Sequence, residues 1–143
     1  MKKFKFTLQS ALGFKENIEE NEKTILLNLN SQMNILQDDI SFLKKLHTEY
    51  AARINAMSAA GVMAADLIQF SLYLREIETR QKQKQSEADK LQKRIDMQTK
   101  VLVKASTEVK TLNKLKEVQY GIYKKIENKE NERLIEEFIC AKA

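Results

Sequence analysis

The stretch Asn55–Phe70, NAMSAAGVMAADLIQF, decides the fold, because two very long helical patterns meet in it and reverse. Gly61 can take a left-handed backbone angle without steric cost, so it predicts the C-terminal cap of an incoming helix. Asp66, followed three positions later by Gln69, predicts the N-cap and capping box of an outgoing one. One reversal flanked on both sides by dozens of helix-periodic residues predicts an antiparallel helical hairpin with a turn at about 61–65. The expected fold class is all-α: two long helices in an antiparallel coiled coil, the second longer than the first. Helix one is expected over about 7–60 and helix two over about 66–139, in a single domain spanning 1–143.

Composition points the same way. The 143 residues contain no proline and three glycines, so little in the chain interrupts a helix. A charged fraction of 31% beside 43% apolar residues suits helices with one buried stripe and a wide solvated face. No apolar run is long enough to span a membrane, and the opening MKKFKFTLQSALGF is polar where a signal peptide needs its apolar region. A cytoplasmic protein is expected. The net charge of +5 raises the question of nucleic acid, but lysines and arginines are interleaved with acids through most of the chain, and no nucleic-acid partner is expected. Cys140, the one cysteine, has no partner for an internal disulfide and is expected to be inert.

On the first arm Thr7 is a possible N-cap. The seam is expected to begin thinly at Leu8, Ala11, Ile18, Ile25 and Leu29, with Lys15 and Glu22 filling two wet positions. From Leu29 the spacing alternates by four and three through Met33, Leu36, Ile40, Leu43, His47, Tyr50, Ile54 and Met57, which is the pattern of a coiled-coil seam. Passing from Glu22 through Ile25 and Leu29 to Met33 makes an eleven-residue step that would locally relax the supercoil. On the second arm the seam runs Leu67, Phe70, Leu74, Ile77, Gln81, Lys84, Ala88, Leu91, Ile95, Gln98, Leu102, Ala105, Val109, Leu112.

Folding at 61–65 pairs Met57 with Phe70, Ile54 with Leu74, Tyr50 with Ile77, His47 with Gln81 and Leu43 with the stem of Lys84. His47 then reads as a register-setting polar residue in the seam; as a metal ligand it lacks a second His or Cys at ligand spacing. The segment from Thr79 to Lys90 has no large apolar residue and is expected to open locally. The same pairing exhausts the first arm near residue 123. The last residues, from Lys124 to Ala143, then have no partner within the chain, although they carry Ile126, Leu134, Ile135, Phe138 and Ile139. An unpaired amphipathic helix of this kind either finds a protein partner or frays.

Catalytic signatures are lacking. No phosphate loop, nucleophile–base pair or metal cluster occurs, and Asp38 with Asp39, or Glu136 with Glu137, diverge on a helix rather than converge in a pocket. No catalytic residue, cofactor or metal is expected, and the chain is read as not an enzyme.

The residues Phe4, Phe6, Leu8 and Gln9, then Glu49-Tyr50, Gly61, Leu67-x-x-Phe70-x-x-Tyr73-Leu74-x-x-Ile77, and finally Glu136-Glu137-Phe138, resemble in their order the FliJ family. That family belongs to the bacterial flagellar type III export apparatus. The resemblance covers essentially the whole chain; where the family's C-terminal segment usually has Asp, this chain has Glu136. It implies a non-catalytic, antiparallel coiled-coil stalk that binds the hexameric export ATPase FliI, contacts the export gate FlhA and handles export chaperones. The protein would be a monomer on its own, held peripherally at the cytoplasmic face of the inner membrane. The overhang residues Ile126, Leu134, Ile135, Phe138 and Ile139 would meet the ATPase. By resemblance the gate would meet Leu43, Tyr50, Tyr73 and Ile77. A related injectisome remains an alternative to the flagellum. Two other readings of the residues remain: a dimerising coiled-coil scaffold or adaptor, and a membrane-surface or nucleic-acid binder acting through a lysine-rich face.

Overall fold

The computed structural model describes residues 2–142 as two α-helices in an antiparallel coiled-coil hairpin. Helix α1 spans Gln9–Ala60 and helix α2 spans Ala64–Lys142, 52 and 79 residues. Among the described residues there is no strand.

The reversal occupies only the residues between Ala60 and Ala64. Gly61 sits at φ 76°, and the Val62 amide reaches back to the Met57 carbonyl at 3.3 Å, the bond that closes a helix through a left-handed residue. Helix α2 then starts two residues earlier than its capping signal suggests. Asp66 is therefore inside the first turn and is not the N-cap. Its amide and that of Leu67 bond to the Met63 carbonyl at 3.1 and 3.3 Å, and its carboxylate complements the positive end of the helix. Thr7 likewise precedes the first helical residue, Gln9, whose amide bonds to the Phe6 carbonyl at 3.1 Å. A Cβ at Gly61 would meet no atom within 4 Å, so Gly61→Ala is expected to cost only its backbone strain, about 1–2 kcal/mol. A thermal melt showing no loss would contradict this.

The shorter turn shifts the pairing by one seam step. Within the unit formed by Thr24–Thr99, Tyr50 packs against Phe70 and Tyr73, at ring-centroid distances of 6.0 and 4.7 Å. His47 meets Glu78 at 3.0 Å in place of Gln81, and Lys84 pairs with Asp39 at 3.7 Å. The core of this unit gathers Leu29, Met33, Ile40, Ala88 and Leu91, with Leu36 and Ile95 against it. From Thr79 to Lys90 the helix is unbroken. Two surface grooves of about 450 and 440 Å³ border this segment, one lined by Met33, Ile40 and Ala88, the other by Asp39, Leu43 and Lys84.

The other unit joins Met1–Lys23 to Lys100–Ala143. Its core is Phe6, Leu12 and Val109, flanked by Phe4 and Leu112. Leu12, at 1% exposure, is the most buried side chain of this cluster, whereas Ala11 is exposed. Farther along α1, Ile25 is 45% exposed and Leu26 is half-buried. The seam thus follows Leu12, Lys15, Glu19, Glu22, Leu26 and Leu29, unbroken alternation by three and four, and the eleven-residue step is not used.

Before α1 begins, the non-helical N-terminal segment continues the pairing along α2. Phe4 stands edge-on to Tyr120 at 5.2 Å, and the Tyr123 hydroxyl donates to the Lys2 carbonyl at 2.8 Å. Lys116 donates to the side-chain oxygen of Gln9 at 2.9 Å, and Lys15 pairs with Glu108 at 2.8 Å.

Three carboxylates of this unit are held below the usual carboxylate value. Glu19 is lowered chiefly by a hydrogen bond from Ser106, Glu108 by a hydrogen bond from Lys15, and Glu127 by a hydrogen bond from Tyr123. Tyr123 is raised, first by burial and then by Glu127, which competes with Lys2 for the single hydroxyl proton. A depressed carboxylate contributes stability above its unfolded pKa, here 4.5, and loses it as pH falls through the lower folded value. Between about pH 6 and about pH 3, amide exchange protection is therefore expected to fall across residues 9–23 and 104–112. Unchanged protection there would mean that these contacts carry no net stability.

Candidate functional site

Two exposed clusters hold residues expected to meet partners. Toward the turn, Tyr50, Phe70 and Tyr73 form an aromatic cluster with a shallow groove also lined by Gln69, and the Arg53 guanidinium sits 5.4 Å from the Tyr50 ring centre. Of the four residues expected to meet an export gate, Tyr50 and Tyr73 come together in this cluster. Tyr73 is 37% exposed. Leu43 and Ile77 are instead buried in the hairpin, Ile77 at 2% exposure.

At the opposite end of α2, pairing stops at Tyr123. Lys124 turns to Glu127 at 3.3 Å, and every residue from 128 to 142 is exposed. Leu134, Ile135, Phe138 and Ile139 are each about 60% exposed, large apolar side chains without cover among the described residues. At 3.6 residues per turn these four fall within an arc of about 140°. Ile126, 47% exposed, does not join them, because at 3.6 residues per turn it lies about 80° or more around the helix from each. The seam positions that follow are Glu130, Arg133 and Glu137. The apolar face of the overhang is thus rotated about 140° from the line along which α2 packs against its own partner helix. Such a rotation suits a separate binding surface rather than an extension of the hairpin. The Lys142 ammonium lies 4.6 Å from the Phe138 ring centre, and Cys140 is exposed nearby.

Sequence periodicity missed this rotation, although reading the seam positions past Ile126 would have shown that they turn charged. Among the described residues no three potential metal ligands come together, and His47 spends its ring nitrogen on Glu78. No helix is long and apolar enough to cross a membrane.

A family model described as the flagellar FliJ protein matches residues 4–140. The chain belongs to the FliJ family. FliJ proteins are non-enzymatic components of flagellar export, which places the chain in flagellum biogenesis and type III protein secretion. Searches of curated proteins and of solved structures returned no match. The FliJ match begins at Phe4 and ends at Cys140, so it takes in both the N-terminal segment that packs on Tyr120 and the exposed face around Phe138.

Proposed function

We propose that the chain is a single-domain coiled-coil stalk of the flagellar export apparatus, acting as a monomer. Its C-terminal overhang binds the hexameric export ATPase FliI, and its turn end contacts the export gate FlhA. It escorts export chaperones and is held peripherally at the cytoplasmic face of the inner membrane. The observation that supports this reading most directly is the uncovered apolar face of Leu134, Ile135, Phe138 and Ile139 on a helix that has outrun its partner. A single exposed helix is narrow enough, about 10–12 Å with its side chains, to enter the opening of a ring. The aromatic cluster at the turn supports the second contact, since tyrosines in a partly exposed cluster are the side chains that protein interfaces favour.

The test is whether the full chain stimulates the purified export ATPase and whether a chain ending at Glu127 does so. Light scattering on the same samples separates the two structural readings. A molar mass of one chain supports the stalk, and a mass of two favours a dimerising scaffold.

A further inference from the structure

One surface is used by neither contact. Along α2 from Lys100 to Val118, the outward positions are Lys100, Val103, Lys104, Thr107, Lys110, Thr111, Lys114 and Val118, and all are exposed. At 3.6 residues per turn they share an arc of about 120°. Between residues 100 and 118 the sequence contains two acids: Glu108, which is taken by Lys15 on α1 at 2.8 Å, and Glu117, which lies about 20° outside this arc. Lys104 and Lys110 act electrostatically on Glu108 and Glu19, yet no ion pair within 4.0 Å joins any of the four outward lysines to an acid among the described residues. After the N-terminal Lys2, Lys3 and Lys5 the other lysines of this chain are interleaved with acids, whereas the positions within this arc are free of them. The Thr107 and Thr111 hydroxyls are turned back onto the helix, donating to the Val103 and Thr107 carbonyls at 2.8 and 2.9 Å.

We propose that this face docks on an anionic lipid surface. The side-chain chemistry favours lipid over an acidic protein. Protein interfaces concentrate aromatic residues and arginine at their energetic centres and are depleted in lysine. This face has lysines, valines and threonines, with neither an aromatic ring nor an arginine. Lysine is a mobile point charge on a flexible stem, suited to a diffuse layer of headgroup phosphates rather than to a fixed carboxylate geometry. Val103 and Val118 are too small to anchor the helix in the acyl region, so binding is electrostatic and reversible. The face gives a protein that meets a membrane-embedded gate a second, weak hold on the same surface, and the two contacts reinforce each other through effective concentration. This rests on the membrane-side placement proposed above, but the experiment does not involve the gate or the ATPase.

The experiment is co-sedimentation of the full chain with vesicles of phosphatidylcholine, with and without phosphatidylglycerol, over a salt series. Two variants of equal charge are compared: Lys100, Lys104, Lys110 and Lys114 all changed to Gln, and Lys44, Lys45, Lys82 and Lys90 all changed to Gln as the control. Lysine and glutamine have similar helix propensities, and circular dichroism verifies that both variants are folded. The expected result is salt-sensitive binding of the wild type to the anionic vesicles alone. The face variant should lose about a hundredfold or more in partition, as about four surface lysines predict, while the control loses less than about tenfold. Equal loss in both variants would make net charge, not this face, the cause and would overturn the proposal. Equal binding to neutral vesicles would overturn it too, as would tighter binding to duplex DNA than to anionic vesicles at the same salt. Failure in this assay leaves the ATPase and gate contacts untouched, because neither protein is present.

Discussion

Ending the chain after Glu127 is expected to abolish stimulation of the export ATPase while leaving the thermal midpoint of the hairpin nearly unchanged. The cut keeps every contact that closes the base of the hairpin, including Tyr123 with Lys2 and Lys124 with Glu127. It removes only exposed residues, so folding loses no buried surface. Binding loses Leu134, Ile135, Phe138 and Ile139. Covering their exposed portions is worth on the order of 4–7 kcal/mol before the cost of association, which corresponds to at least about a thousandfold in affinity. Changing the four together to serine tests the face without shortening the helix, and the expected loss is of the same order. If the truncated chain still stimulates fully, the overhang is not the contact. If stimulation survives the serine changes but not the truncation, helix length rather than its apolar face is what the ATPase uses.

The hairpin itself was legible because it rests on local signals that agree with one another. Gly61 is the residue whose φ is positive, and as the one glycine of that stretch it takes the angle without steric strain. What the local signals could not give was the number of residues spent on the turn. Asp66 and Gln69 satisfy the pattern of a capping box, yet Ala64 and Ala65 are strong helix formers and extend α2 backward over the position where a cap would sit. Two residues fewer in the turn then move every cross-helix pair by a seam step. His47 consequently finds Glu78 rather than Gln81, an acid that serves its ring better than an amide opposite would.

Leu12 and Leu26 were missed for a related reason. Between residues 8 and 29 apolar side chains occur on neighbouring positions, Ala11 beside Leu12 and Ile25 beside Leu26, and spacing alone permits either choice. Extending the strict alternation backward from Met33 selects Leu12 and Leu26, at the cost of accepting Glu19 in the seam. That glutamate is tolerable because Ser106 and Lys23 hydrogen-bond to it. The overhang was legible as an excess of length on the second arm. Its orientation was not, since an apolar residue after the end of a partner helix looks the same to a periodicity count whichever way it faces.

The burial of Ile77 separates the stability of the turn end from its recognition. Ile77→Ala removes one of the two most completely buried side chains among the described residues and is expected to destabilise by about 2–5 kcal/mol, read as a fall in denaturant midpoint. Any loss of gate binding in that variant would then be secondary to a loosened hairpin. Tyr73→Ala is the informative change. The ring is partly exposed and packs mainly on Tyr50, so its removal should cost no more than about 1 kcal/mol of stability. A tyrosine at the centre of an interface commonly contributes 2 kcal/mol or more, so capture by the cytoplasmic part of the gate should weaken by about thirtyfold. Tyr73→Phe should recover most of this if the ring face makes the contact, and little if the hydroxyl does. Normal capture by a folded Tyr73→Ala protein would remove the aromatic cluster from the gate contact. The gate would then have to meet another face of the hairpin.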